Sequence, residues 1–198
     1  LIVQAERRPD LKQALLQAEL TVADGVGVVW AARRLGFALP ERVPGVELVT
    51  RVLQEGGSAL SVYFLGAKPG VAAKAAAVAQ ERFGTRVVGV EHGYFGSDEA
   101  PAVIRRIAES GAQLLLAGLG EGQELFLHQH RQEIGVPLSI GVGGTLDALS
   151  GTVRRAPRWM RRLGLEWAWR IGLDPKRWRR FPRLLAFVRL VIAQGRSG

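Results

Sequence analysis

Asp24 stands directly before Gly25, after an apolar run and ahead of a helix-like stretch. A carboxylate there has two uses. It can cap the helix by accepting a backbone N–H, or it can serve as a general base at the mouth of a crevice. Spacing alone favours the cap and leaves the base open. Arg42 lies in the loop Glu41-Arg42-Val43-Pro44-Gly45, where a solvated surface arginine is the plain reading. Gln123 and Glu124 open a helix after a glycine turn, where acidic charge suits the positive helix end. The histidines are His92, His128 and His130. The last two, two apart on a helix, splay rather than converge on a metal. There is no cysteine, hence no thiol nucleophile, disulfide or zinc–thiolate site. No Asp-x-Asp pair offers a carboxylate clamp for Mg²⁺ on a diphosphate. Arginines and helix ends are then the expected neutralisers of a diphosphate, and neither a metal nor a cofactor is implied.

The elements that must position these groups alternate. Residues 20–23 read as a short strand, 26–35 as a helix closed by Gly36, and 46–54 as a helix stopped by Gly56-Gly57. Residues 60–65 form a continuous β-type run, followed by Gly66, Pro69 and an alanine-rich helix over 71–83. A strand over 86–90 leads to a loop at 91–96, and Ser97 is placed to cap a helix over 99–109. Then come a strand at 114–117, a helix at 121–133 and a last strand at 138–142. Strands alternating with helices predict an α/β fold, a Rossmann-like parallel sheet covered on both faces. Its apolar runs suit strands buried on both sides.

Glycine follows strand after strand: Gly25, Gly66, Gly93, Gly118-Leu119-Gly120 and Gly141-Val142-Gly143-Gly144. Each alone is explained by a tight turn. Together, at the carboxyl ends of parallel strands, they point to a nucleotide-type ligand approached by backbone. No GxxxxGK[ST] pattern is present, so a P-loop NTPase is excluded, and the dinucleotide fingerprint fails after Gly120.

The chain has 198 residues, 47% hydrophobic and 23% charged, which suits one globular domain or one with an appendage. The longest uncharged run is 13 residues, short of the roughly 20 that span a bilayer. No leader-like segment opens the chain, so a cytoplasmic location is expected. The formal charge of +9 is uneven: residues 1–150 carry a net −2, residues 151–198 a net +11. The tail arginines Arg154, Arg155, Arg158, Arg161, Arg162, Arg170, Arg177, Arg179, Arg180 and Arg183 are interleaved with Trp167, Trp169, Trp178 and Phe181. Met160, Leu163, Trp167 and Ile171 make an apolar stripe at helical spacing. Three readings stand together: a helix in an anionic membrane interface, a nucleic-acid contact, or a helix packed on the body by its stripe. The expected division is a catalytic body over 1–152 and a basic, membrane-associating appendage over 153–198.

In order, Ala23-Asp24-Gly25-Val26-Gly27, Arg42-Val43-Pro44-Gly45, Gly93-Tyr94-Phe95, Gly118-Leu119-Gly120 with Gln123-Glu124, Gly141-Val142-Gly143-Gly144 with Asp147, Arg155-Ala156-Pro157 and Gly164-Leu165-Glu166-Trp167 leading to Arg170 resemble the WecG/TagA/CpsF family of bacterial glycosyltransferases. The resemblance covers essentially the whole chain. It implies a Rossmann-like domain with a C-terminal appendage that reaches the membrane. It also implies inverting transfer of an N-acetylmannosamine-type sugar from a UDP-sugar to undecaprenyl-diphosphate-linked N-acetylglucosamine, a step in teichoic acid and surface-polysaccharide synthesis. Asp24 matches the family's catalytic base, and Arg42 and Gln123 match active-site positions. Tyr94, Gly118, Gly120, Gly143, Gly144 and Asp147 fall in segments associated with the nucleotide sugar. Arg155, Arg170, Arg177 and Arg180 fall in the appendage segments, where arginines close over the diphosphate. Two departures stand out. Glu121-Gly122 replaces the family's Pro-Lys, and the family's Thr-x-Asn segment would precede Leu1, so an N-terminally truncated copy is expected.

The resulting expectation is a metal-independent glycosyltransferase, peripheral on the inner face of the bacterial cell membrane, whose partners are a UDP-sugar, a polyprenyl-diphosphate-linked acceptor and anionic lipid, not nucleic acid. A homo-oligomer stays open. The rival is a non-catalytic nucleotide-binding module recruited by its basic tail to membrane or nucleic acid.

Overall fold

The computed structural model describes residues 1–153, 156–157, 159–160, 166–173 and 181–194. By compactness the chain divides into two units, Leu1–Pro44 with Arg155–Gly198, and Gly45–Arg154. The two chain ends thus share a unit.

The Gly45–Arg154 unit is the α/β body. Strands β1 (Ser61–Gly66), β2 (Arg86–Glu91), β3 (Leu114–Gly118) and β4 (Leu138–Gly141) form one sheet in the order β2-β1-β3-β4. Every pairing is parallel. The two central strands are buried along their whole length, which explains why they read as unbroken apolar runs. Side chains alternate across the sheet. Val62, Phe64, Leu114 and Leu116 pack with Val49 and Leu53 of one helix (Gly45–Gly56), Ala72, Ala75, Ala76 and Ala79 of a second (Val71–Phe83), and Leu146 of a third (Thr145–Leu149). Tyr63, Leu65, Leu115 and Ala117 face the other way, onto Val103, Ile104 and Ile107 of the helix Ala100–Glu109 and onto Ile134. Small alanines let the helix Val71–Phe83 lie close to the sheet, and Gly84 closes it in a left-handed turn.

Several boundaries differ from the sequence reading. The helix expected over 121–133 starts at Gln123, because left-handed Gly122 precedes it, and breaks at His130 into Gln123–Gln129 and Arg131–Ile134. Ser97 is not a cap. The N-cap is Glu99, and its Oε2 accepts the Gly96 N–H at 3.0 Å, closing the turn before Pro101.

The other unit contains helices Ile2–Ala5, Pro9–Leu16 and Val26–Arg34, with Glu166–Leu173 and Phe181–Gln194 from the C-terminal part. Leu11, Ala14, Ala31 and Val191 are buried in it. The first two helices were not expected from the sequence. The strand expected over 20–23 is absent: Leu20 is 78% exposed and the segment is irregular. A β-type run becomes a strand only beside a ladder neighbour. Here the Val43 N–H donates to the Ala23 C=O at 2.9 Å without extending into a ladder.

Candidate functional site

The strand order sets where a ligand can sit. From β1 the chain crosses to β2 on one side, then returns to place β3 on the other side of β1. In open α/β sheets ligands bind outside the carboxyl ends of the strands, at such a reversal. The loops here start at Gly66, at His92–Gly93, at Gly118 and at Gly141.

These loops are stitched into one backbone surface. The Ala67 N–H donates to the Gly118 C=O at 2.9 Å, and the Ala67 C=O accepts the Gly93 N–H at 2.9 Å. The Val142 N–H reaches the Ala117 C=O at 2.8 Å. A Cβ on Gly118 would stand 2.8 Å from the Gly143 carbonyl oxygen, and one on Gly66 would run into the Gly118 backbone. Gly66 also has φ +125°, where L side chains are strained. Ala67 is the one non-glycine residue with positive φ among the described residues, at +56°. Strain of that kind persists where the surroundings over-determine it. Its two backbone hydrogen bonds, to Gly118 and Gly93, do so here. The sequence reading passed over Ala67, and only the hydrogen bonds of its two backbone groups reveal it.

The nucleotide-sugar candidates lie along this edge. Tyr94 is 66% exposed, while the next residue, Phe95, packs at a tilt against Phe126 with ring centroids 5.9 Å apart. The anchored phenylalanine fixes the loop that carries the free tyrosine ring. His92 Nδ1 accepts the Tyr94 N–H at 3.3 Å, which gives this histidine a structural task in the same loop. His130 packs at a tilt against Phe126 with centroids 5.0 Å apart, and its Nδ1 lies 3.1 Å from Glu133 Oε1. Gly118 is buried and Gly120 exposed, with φ +74°. Gly144 is the N-cap of Thr145–Leu149, and Asp147 is half-buried in its first turn.

Gln123, expected at the active site, is held by the protein's own groups. It is 7% exposed. Its Nε2 donates to Glu124 Oε1 at 2.9 Å, and its Oε1 accepts the Gly143 N–H at 3.0 Å. It joins the loop after β3 to the loop after β4.

Beneath the edge, Arg106 pairs with Glu91 at 2.6 Å. Burial, and after it the negative charge of Glu91, push the Tyr63 phenol above the ordinary tyrosine range. Among the described residues no three His, Asp or Glu side chains cluster as a metal site would require.

Asp24 and Arg42 belong to the other unit, where the Val43-to-Ala23 backbone bond brings their segments side by side. Asp24 is exposed and Arg42 half-buried. The helix cap favoured for Asp24 is not formed: the N-cap of Val26–Arg34 is Gly25, with no side-chain cap bond. A cap must itself stand in the half-in position for its oxygen to reach the N2 or N3 amide, and Asp24 lies one residue too early. Arg170 lies within Glu166–Leu173. Arg155, Arg177 and Arg180 lie outside the described residues, as does part of the stripe Met160, Leu163, Trp167 and Ile171. Among the described residues no helix is long and apolar enough to cross a membrane.

A glycine-rich loop edge at a sheet's reversal is common to many nucleotide-binding folds and does not name a chemistry. The family model described as "Glycosyl transferase WecG/TagA/CpsF family" matches residues 1–198, end to end, so the chain belongs to this family of glycosyltransferases, which implies a nucleotide-sugar donor and a sugar acceptor.

Proposed function

We propose that the protein moves an N-acetylmannosamine-type sugar from a UDP-sugar to undecaprenyl-diphosphate-linked N-acetylglucosamine, with inversion, at the inner face of the cell membrane, in the synthesis of teichoic acid or a related surface polysaccharide. The observation that carries the donor half is the stitched glycine edge at the β1–β3 reversal, where backbone rather than bulky side chains meets a ligand. Exposed Tyr94 offers a ring on which a uracil can stack. Gly118, Gly120, Gly143 and Gly144 allow close approach, and Asp147 supplies an acceptor for sugar or ribose hydroxyls.

In the reaction the acceptor 4-hydroxyl oxygen bonds to the donor's anomeric carbon as the bond from that carbon to the UDP oxygen breaks. The hydroxyl proton passes to Asp24, whose exposed carboxylate has no hydrogen bond among the described residues. Attack opposite the leaving group inverts the anomeric centre. The charge gathering on UDP is met by Arg155, Arg170, Arg177 and Arg180, and Arg42 stands beside the Asp24 segment to hold anionic substrate. The C-terminal charge of net +11 over residues 151–198 supports a basic appendage over 153–198 on an anionic leaflet. Exposed Leu184, Leu185 and Ile192 on the helix Phe181–Gln194 suit an apolar interface.

The test is UDP release from a panel of UDP-sugars with a short-chain lipid-linked acceptor. The N-acetylmannosamine donor should turn over, with the product inverted at the anomeric carbon. UDP binding with no turnover of any donor would mark a non-catalytic nucleotide-binding module instead.

A further inference from the structure

We propose that Glu124 is a positioning residue for the donor site: its carboxylate sets which way round the Gln123 amide lies, and that amide holds the Gly143 loop in shape. The proposal rests on the reading of the stitched loops as the donor's cradle. An amide side chain has one accepting end and one donating end. A carboxylate only accepts, so the end of Gln123 facing Glu124 is its NH₂, at 2.9 Å from Oε1. The opposite end is then the carbonyl, which accepts the Gly143 N–H at 3.0 Å. Turned over, the amide would set oxygen against carboxylate and NH₂ against N–H, losing both bonds.

The surroundings leave the amide one place to lie. Gln123 is buried, and a Cβ on Gly141 would approach its Nε2 to 3.0 Å. The other carboxylate oxygen, Glu124 Oε2, is buried and makes no hydrogen bond among the described residues. Glu124 therefore directs its hydrogen bonding to Gln123. The loop so held is not stable in any backbone shape: Gly143 has φ +50°, and its carbonyl packs on Gly118. Gly144 follows as the cap of the helix that carries Asp147.

Amide hydrogen exchange of the whole chain, followed by NMR without ligand, reads this directly. In Glu124→Ala the Gly143 amide should exchange about tenfold faster, the worth of one hydrogen bond. UDP affinity by calorimetry should fall by a similar factor, and in transfer assays the loss should appear in donor KM more than in kcat. Glu124→Gln keeps an acceptor for the Gln123 NH₂ and should bring Gly143 protection and UDP affinity back towards wild type. Gln123→Met, close in shape but without either bond, should match Glu124→Ala and serves if that variant does not fold. Unchanged Gly143 exchange in Glu124→Ala would overturn the proposal. So would a Glu124→Gln variant as impaired as Glu124→Ala, because charge rather than orientation would then matter. A wild-type chain that binds no UDP would sink the donor reading, while the exchange comparison still decides the Glu124 clamp.

Discussion

Replacing Asp24 separates chemistry from architecture, because among the described residues its carboxylate has no structural bond to lose. A capping aspartate exchanged for alanine costs about 1 kcal/mol. Here the cap position belongs to Gly25, and no side-chain cap bond exists. Asp24 is exposed. Asp24→Ala and Asp24→Asn should therefore both stay within about 0.5 kcal/mol of wild type, as surface changes do. For a chain of this size that is about 1–2 °C in Tm. UDP binding should be unchanged in both. A general base, by contrast, contributes about 10²–10⁴-fold to rate, and asparagine cannot take the acceptor's proton. Transfer in both variants should fall by that factor while KM for the donor holds. The assay is initial-rate UDP release alongside thermal melts and UDP calorimetry on the same preparations. An Asp24→Asn enzyme that keeps most of its turnover refutes the base assignment. A melt lowered by more than about 4 °C in Asp24→Ala would show a structural task that the backbone geometry does not contain.

Transfer should survive saturating EDTA, since arginines are assigned to the diphosphate; complete loss, restored by Mg²⁺ or Mn²⁺, would overturn that assignment. Neutralising Arg177, Arg179 and Arg180 together to glutamine should weaken binding to anionic vesicles about 100-fold, at about 1 kcal/mol per charge near the leaflet. High salt should do the same to wild type, and vesicle binding unaffected by both changes would reject the membrane reading. Neutralisation is preferred to deleting the tail because Phe187 of the helix Phe181–Gln194 packs near Gly27, so deletion would strip a folded unit. The raised Tyr63 phenol gives a pH dependence of definite sign. The folded chain keeps this proton where the unfolded chain releases it, so the contribution is intact below about pH 10 and is lost as pH climbs towards the raised value. Urea midpoints compared at about pH 8 and about pH 11 should fall less for Tyr63→Phe than for wild type; equal falls would refute the linkage.

What the sequence determined by itself is what short stretches of chain can encode. The helix Val71–Phe83 was legible to its ends, because Pro69 before it, a run of alanines within it and Gly84 after it are local signals. Ser61–Gly66 and Leu114–Gly118 were legible because strands buried on both faces must be apolar throughout. The ligand edge was legible as a recurrence of glycine, and the family through ordered motifs spread along the whole chain. The rest depended on partners far away in sequence. Residues 20–23 have strand composition but no neighbouring ladder, so they stay irregular. Asp24 has the composition of a cap but sits one residue before the place where a cap can reach. Gln123 accepts the Gly143 N–H, twenty residues on, a partner that no local signal announces. Ala67 carries no chemical signal, yet its backbone holds Gly118 and Gly93. Periodicity and turn chemistry act within a few residues, whereas hydrogen-bond partners across loops are chosen only when packing brings distant backbone to within 3 Å.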